Sequence, residues 1–200
     1  MKILFDVAHG NNVAGKCDPT GTFREYIYSR EIVPRIVHGL RKRGYDAQNL
    51  VPELYEPGLT ERAHRVNVKC QTYGKENCIY ISVHVNAAGK GDKWMNARGW
   101  CCFTTRGVTK SDRLAEHLYM AAERCFPGHK IRRDKSDGDS DWEKNFNVLY
   151  HTLCPAVLTE NFFMDNKEDL AYLCSEEGKD AIVRCHIEGV ISYLEELANG

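Results

Sequence analysis

Three nearly continuous apolar runs constrain this chain most: Ile3 to Ala8, Cys78 to Val83 and Pro155 to Leu158. Each is as long as a strand and lacks the polar alternation of a sheet with one wet face. Such runs suit strands buried on both faces, the condition of a parallel sheet sandwiched by helices. Amphipathic stretches separate them, so strand and helix patterns alternate and the chain reads as α/β with a largely parallel sheet.

The helical patterns run from Phe23 to Arg43, Thr60 to Tyr73, Ser111 to Phe126, Lys167 to Cys174 and Ser175 to Leu197. In the first, Ile32, Val33, Ile36, Val37 and Leu40 form the apolar stripe, Pro34 predicts a kink, and Gly44 suits the residue after the last turn. Thr60, Ser111 and Ser175 are the expected N-caps. Weaker strand patterns cover Tyr45 to Val51, Gly99 to Thr104 and Phe146 to Tyr150. Pro127 to Asp141 is polar and glycine-containing and predicts an exposed loop. No repeat, low-complexity tract or linker interrupts the 200 residues, so residues 1–200 are expected to form one domain.

Net charge is −1, which offers no basic excess for nucleic acid, and the Arg132-Arg133-Asp134-Lys135 cluster reads as a solvated loop. No apolar run approaches the roughly 18 residues of a membrane helix. The N-terminus enters a strand directly, without the pattern of a signal peptide. Nine cysteines, an odd number without a CxxC pair, predict reduced thiols and synthesis in a reducing compartment.

The ends of the three apolar runs carry the chemistry. The first ends in His9, the second in His84 and the third in Glu160; Glu25 follows the glycine-rich loop after His9. Ligands of open α/β sheets bind at the carboxyl ends of the strands. Two histidines and one carboxylate are the protein ligands of a hydrolytic zinc site, and a second carboxylate is then available as general base. Taken singly, each histidine is explained as well by a structural hydrogen bond, Glu25 by the helix dipole and Glu160 by a lysine partner. The joint pattern is what points to a metal hydrolase. The pattern alone leaves open which glutamate binds metal.

The segments Asp6-Val7-Ala8-His9-Gly10, Arg24-Glu25, Ser82 to Ala87 and Pro155 to Asn166 resemble the motifs of the zinc-dependent N-acetylmuramoyl-L-alanine amidases, the single-zinc catalytic domain of bacterial cell-wall amidases and phage endolysins. Arg62 and Asn67 also fit that pattern. The resemblance covers the whole chain in order. It implies a six-stranded, mostly parallel mixed sheet flanked by helices on both faces, with one Zn2+ at the strand C-terminal edge. It implies that His9, Glu25 and His84 bind the zinc, that Glu160 is catalytic, and that the substrate is peptidoglycan. The bond broken would join the lactyl group of N-acetylmuramic acid to L-alanine of the stem peptide. Asp6 is expected either to orient a ligand histidine or to be structural, and Asn86 either to touch substrate or to form a turn.

Glycine is usual in that family where Ala8, Asn11 and Asn161 stand here. Ala8 and Asn11 are expected to narrow the mouth of the site, and Asn161 to tolerate a positive φ. Some members of that family carry an inhibitory helix over the zinc; the corresponding stretch here, Pro127 to Asp141, is short and does not read as helical, so an open site is expected. A zinc carboxypeptidase-like hydrolase and a zinc-free module that only binds cell-wall peptide are the competing readings. A monomer, made without a signal peptide and released to the wall in the manner of a phage endolysin, fits the composition.

Overall fold

The computed structural model describes residues 1–199. Its apolar runs become the middle of one six-stranded sheet. The strands are β1 (Lys2–Val7), β2 (Asp46–Asn49), β3 (Cys78–Asn86), β4 (Cys101–Thr104), β5 (Trp142–Glu143) and β6 (Ala156–Phe163). Their spatial order is β2-β1-β3-β6-β4-β5. The first four strands in that order are parallel, and β4 joins β6 antiparallel. The three apolar strands are thus the three central ones, which is why they show no polar alternation.

Among the described residues six α-helices accompany the sheet: α1 (Glu25–Lys42), α2 (Leu59–Tyr73), α3 (Lys110–Cys125), α4 (Asn147–Tyr150), α5 (Lys167–Cys174) and α6 (Glu176–Asn199). Helix α6 packs between α1 and α3, while α2 packs with α4 and against β1 and β3. Alternate strand residues divide between these layers. Thr159 turns toward His186 of α6, whereas Asp6 and Ser82 turn toward Arg62 of α2. At the crossing of α6 and α3, a Cβ on Gly189 would lie 2.8 Å from Leu118 Cδ2 and 3.0 Å from its Cα. Only glycine permits so close an approach there.

Several local expectations are corrected. Phe146 to Tyr150 is not a strand: Asn147–Tyr150 forms one helical turn, because Phe146 packs on Phe103 and Val148 and Leu149 are buried in it. Helix α2 begins at Leu59, one residue before the expected Thr60 cap. Thr109, not Ser111, caps α3, in a reciprocal box with Asp112. Pro34 lies inside an unbroken α1; it is on the exposed face, where water can satisfy the carbonyl it leaves unpaired. Arg132 and Arg133 are not simply solvated, since they lie over the rings of Trp142, Phe163 and Tyr119. All nine cysteines are thiols. Among the described residues no helix is long and apolar enough to cross a membrane.

Candidate active site

Strand β1 ends at Val7, and the chain then makes a tight exit. His9 has φ +49°, a left-handed conformation that L-residues adopt at a cost. Gly10 follows with its Cα against the next loop, where a Cβ would sit 2.0 Å from the Glu56 nitrogen. Arg62 locks this exit. Its guanidinium, 3% exposed, donates to Asp6 Oδ2 (2.7 Å), the Val7 carbonyl (2.6 Å), Glu56 Oε1 (2.7 Å) and the His9 carbonyl (3.3 Å). A buried arginine is tolerable only with such full pairing.

Asp6 is therefore a partner of Arg62, and it also accepts from Ser82 Oγ at 2.6 Å. Neither carboxylate oxygen bonds a histidine. The expectation that Asp6 orients a ligand gives way to its structural alternative, because Arg62 and Ser82 occupy both oxygens.

Glu25 opens α1 and is 1% exposed. Its backbone nitrogen donates to the Lys16 carbonyl at 3.0 Å. Its carboxylate joins the two histidines: His84 Nδ1 lies 3.0 Å from Oε1 and His9 Nε2 lies 3.3 Å from Oε2. The Val85 nitrogen donates to Oε1 as well, at 3.0 Å. The donor atoms of His9, Glu25 and His84 all lie within 4.8 Å of one another. Burial disfavours the charge on Glu25, but the two histidines outweigh it and hold its carboxyl down at about 2. The same contact raises His84 above its ordinary value against the effect of burial.

Glu160 is the direct register partner of His84 across the parallel pair β3–β6. Partners in register face the same side of a sheet, so both side chains enter the site together. Glu160 Oε2 is buried without a hydrogen-bond partner. Burial, then the charge of Glu25, pushes its carboxyl up to about 7, against the opposing charges of His84, Lys16 and Lys144. Just beyond it the register shifts, so that Asn86 pairs with Phe163. This bulge places Phe162 at φ +64°, and its buried ring packs on Phe126, His129 and Tyr172.

These groups open into one cavity of about 520 Å³. Its walls are the Ala14–Cys17 loop, the loop after β3 with Gly89 to Gly91, the apolar group Leu59, Phe146 and Val148, and Asn86. Asn86 Oδ1 accepts from the Ala87 nitrogen at 2.9 Å, a turn contact. No residue of Pro127 to Asp141 lines the cavity, and that stretch holds no helix.

The three departures from the family pattern take different places from those expected. Ala8 is fully buried and its carbonyl accepts from Ser29 and Arg30; neither it nor Asn11 lines the cavity, so neither narrows the mouth. Asn161 does not have a positive φ; its neighbour Phe162 does. Fully buried, it accepts from Trp100 Nε1 and donates to the His84 carbonyl, each at 2.9 Å. Sequence reasoning assigned no role to Arg62, Lys16 or Phe146. The isolated arginine on the inner face of α2 was the one available signal.

A family model described as N-acetylmuramoyl-L-alanine amidase (Amidase_3) matches residues 3–192. An endolysin of Bacillus phage SPP1 is 26% identical over 195 residues, covering 96% of this chain and 65% of the relative. The amidase CwlM of Bacillus licheniformis is 25% identical over 201 residues, covering 95% and 67%. The chain thus spans about two thirds of the length of these relatives. Among solved structures, an N-acetylmuramoyl-L-alanine amidase from Clostridium difficile 630 superposes with a TM-score of 0.81 at 23% identity, over 97% of this chain and 96% of its own. The catalytic domain of CwlV from Bacillus (Paenibacillus) polymyxa var. colistinus gives 0.79 at 19%, over 98% and 99%. At these identities the structural likeness establishes the fold.

Proposed function

The chain belongs to the N-acetylmuramoyl-L-alanine amidase family that its residues 3–192 match, and from that premise we propose that it is a one-zinc hydrolase of peptidoglycan. The bond cleaved is the amide between the lactyl group of N-acetylmuramic acid and L-alanine of the stem peptide. The observation that carries the reading is the meeting of His9, Glu25 and His84 beside the unpartnered oxygen of Glu160.

The residues fit zinc. Two imidazole nitrogens and one carboxylate oxygen form a donor set this ion accepts, with bonds of about 2.0–2.2 Å. The ligand atoms of the three residues lie within 4.8 Å of one another, near enough for one ion to reach all three. His9, Glu25 and His84 would hold the ion. Zinc bound there supplies Lewis acidity, acidifying water and polarising a carbonyl oxygen.

The remaining chemistry belongs to the chain. Glu160 takes a proton from the attacking water through Oε2 and returns it to the departing alanine nitrogen. Its burial lets it hold that proton between the two steps, since its two protonation states lie close in energy near neutrality. Asn161 fixes the His84 carbonyl, and Arg62 fixes that of His9. Asn86, at the cavity wall, is placed to offer an amide to the substrate.

Glu160→Gln tests the reading. The variant is expected to retain zinc while losing at least ~10²-fold in kcat, the usual size of a lost general base. Mass spectrometry of digested peptidoglycan should then find, for the unaltered protein, intact stems with a free alanine amine. Stems shortened from their carboxyl end would favour a carboxypeptidase. Zinc-free protein that binds cell wall without cleaving it would leave only a binding module.

A further inference from the structure

The cavity is lined by three cations, and only one is neutralised by the protein. Arg62 is paired with Asp6 and Glu56. Lys16 and Lys90 line the same cavity, yet the ion pairs made by lysines lie elsewhere, at Lys2 and Lys179. The two lysine loops adjoin each other: the space beside Gly91 is bounded by the Cys17 carbonyl. Both loops are tied to the site. The Lys16 carbonyl accepts from the Glu25 nitrogen at 3.0 Å. Asp165 Oδ2, in a fully buried side chain, accepts from Ala88 and Gly89 at 2.9 and 2.7 Å.

Lys16 is moreover held at φ +55°, a conformation that costs free energy and concentrates where function requires it. The opposite wall is lined by the apolar side chains of Leu59, Phe146 and Val148, with the Lys144 ammonium over the Phe146 ring, 4.8 Å from its centroid. Two ammonium side chains thus line the cleft on the side of the loops before α1 and after β3, and apolar side chains line it across from them.

Building on the amidase reading, we propose that Lys16 and Lys90 form a specificity subsite that receives a free carboxylate of the stem peptide. The alanine released by cleavage is followed by a glutamate linked through its side chain, which leaves an α-carboxylate free, and then by a diamino acid with its own carboxylate. An ammonium pair on one side of the reacting centre orients the peptide arm there. It also makes the enzyme prefer unamidated stems. Both ammonium groups are exposed, so the effect is modest, about fivefold for two solvent-screened contacts, and it weakens with salt.

The test uses muramyl tripeptides that carry the second-residue carboxylate free or amidated, and likewise the third. The unaltered enzyme is expected to show a KM about fivefold lower for free than for amidated stems. The K16M/K90M variant should bring that ratio near one, and K16R/K90R should restore it. Calorimetric titration of the same peptides into the E160Q protein should give the same ratio in Kd, without turnover. Whichever amidation abolishes the preference identifies the carboxylate. A ratio equal in the unaltered and Met-substituted proteins, or no preference at all, overturns the subsite while leaving the amidase reading intact. Failure of the unaltered enzyme to cleave any of these peptides overturns the amidase reading and the subsite with it.

Discussion

Glu160 owes its behaviour to its neighbours. Burial and the Glu25 charge raise its carboxyl to about 7, and a cation held by the triad lowers it from there. A general base works ionised, so kcat/KM is expected to fall as pH drops through an acid limb at or below about 7; a pH–rate profile measures it. Arg62 carries the structural side of the site. Arg62→Met leaves the buried Asp6 without its counter-charge, and should destabilise the fold by about 3–5 kcal/mol in urea unfolding. The two residues differ in how readily the sequence discloses them. His9, His84 and Glu160 are visible because a polar side chain interrupts an apolar run at its end. Asp6 is visible by the same rule, but its partner is 56 residues away. A choice between Arg62 and a histidine is made by packing, not by local pattern. The left-handed backbone at His9, Lys16 and Phe162 was hidden for a related reason: none is a glycine, so composition carries no mark of it.

The elements were legible where burial is uniform. The three central strands follow from unbroken apolar runs, because both their faces are buried, and the helices α1, α3 and α6 from apolar periodicity, because each buries one continuous face. The single turn of α4 was not legible, since four residues with a buried Val148 and Leu149 fit strand and helix periods equally. The β6 bulge likewise escaped notice, although it matters to the site. Up to Glu160 the ladder is regular and holds Glu160 beside His84; only afterwards does the extra residue turn the chain away. Packing between elements gives a further prediction. Gly189→Ala forces α6 away from Leu118 of α3, at a cost of about 1–3 kcal/mol. Thermal unfolding should register that loss, with kcat unchanged because this crossing lies on the helical layer behind the sheet.

Across the whole molecule, the sheet is bonded to its helical layer through a buried polar chain. Asn161 donates to Thr159 Oγ1 (3.2 Å), which lies 2.9 Å from His186 Nε2, while His186 Nδ1 donates to the Ile182 carbonyl (2.8 Å). Burial favours the neutral imidazole and lowers His186 to about 4 from its ordinary 6.5. Between those values the unfolded chain binds the extra proton, so stability declines as pH falls from 6.5 toward 4. Relative to His186→Gln, the native protein should lose roughly 3 kcal/mol over that interval, read from urea midpoints at successive pH values. The same distribution of residues has a bearing on biosynthesis. His9, Glu25 and His84 emerge early from the ribosome, but Glu160 lies on β6, the strand between β3 and β4 that completes the sheet. A chain that ends between β3 and β6 therefore has all three candidate metal ligands and no Glu160 beside them. On the proposed mechanism such fragments are expected to release no stem peptide from peptidoglycan, which an assay of chains ending before β6 measures.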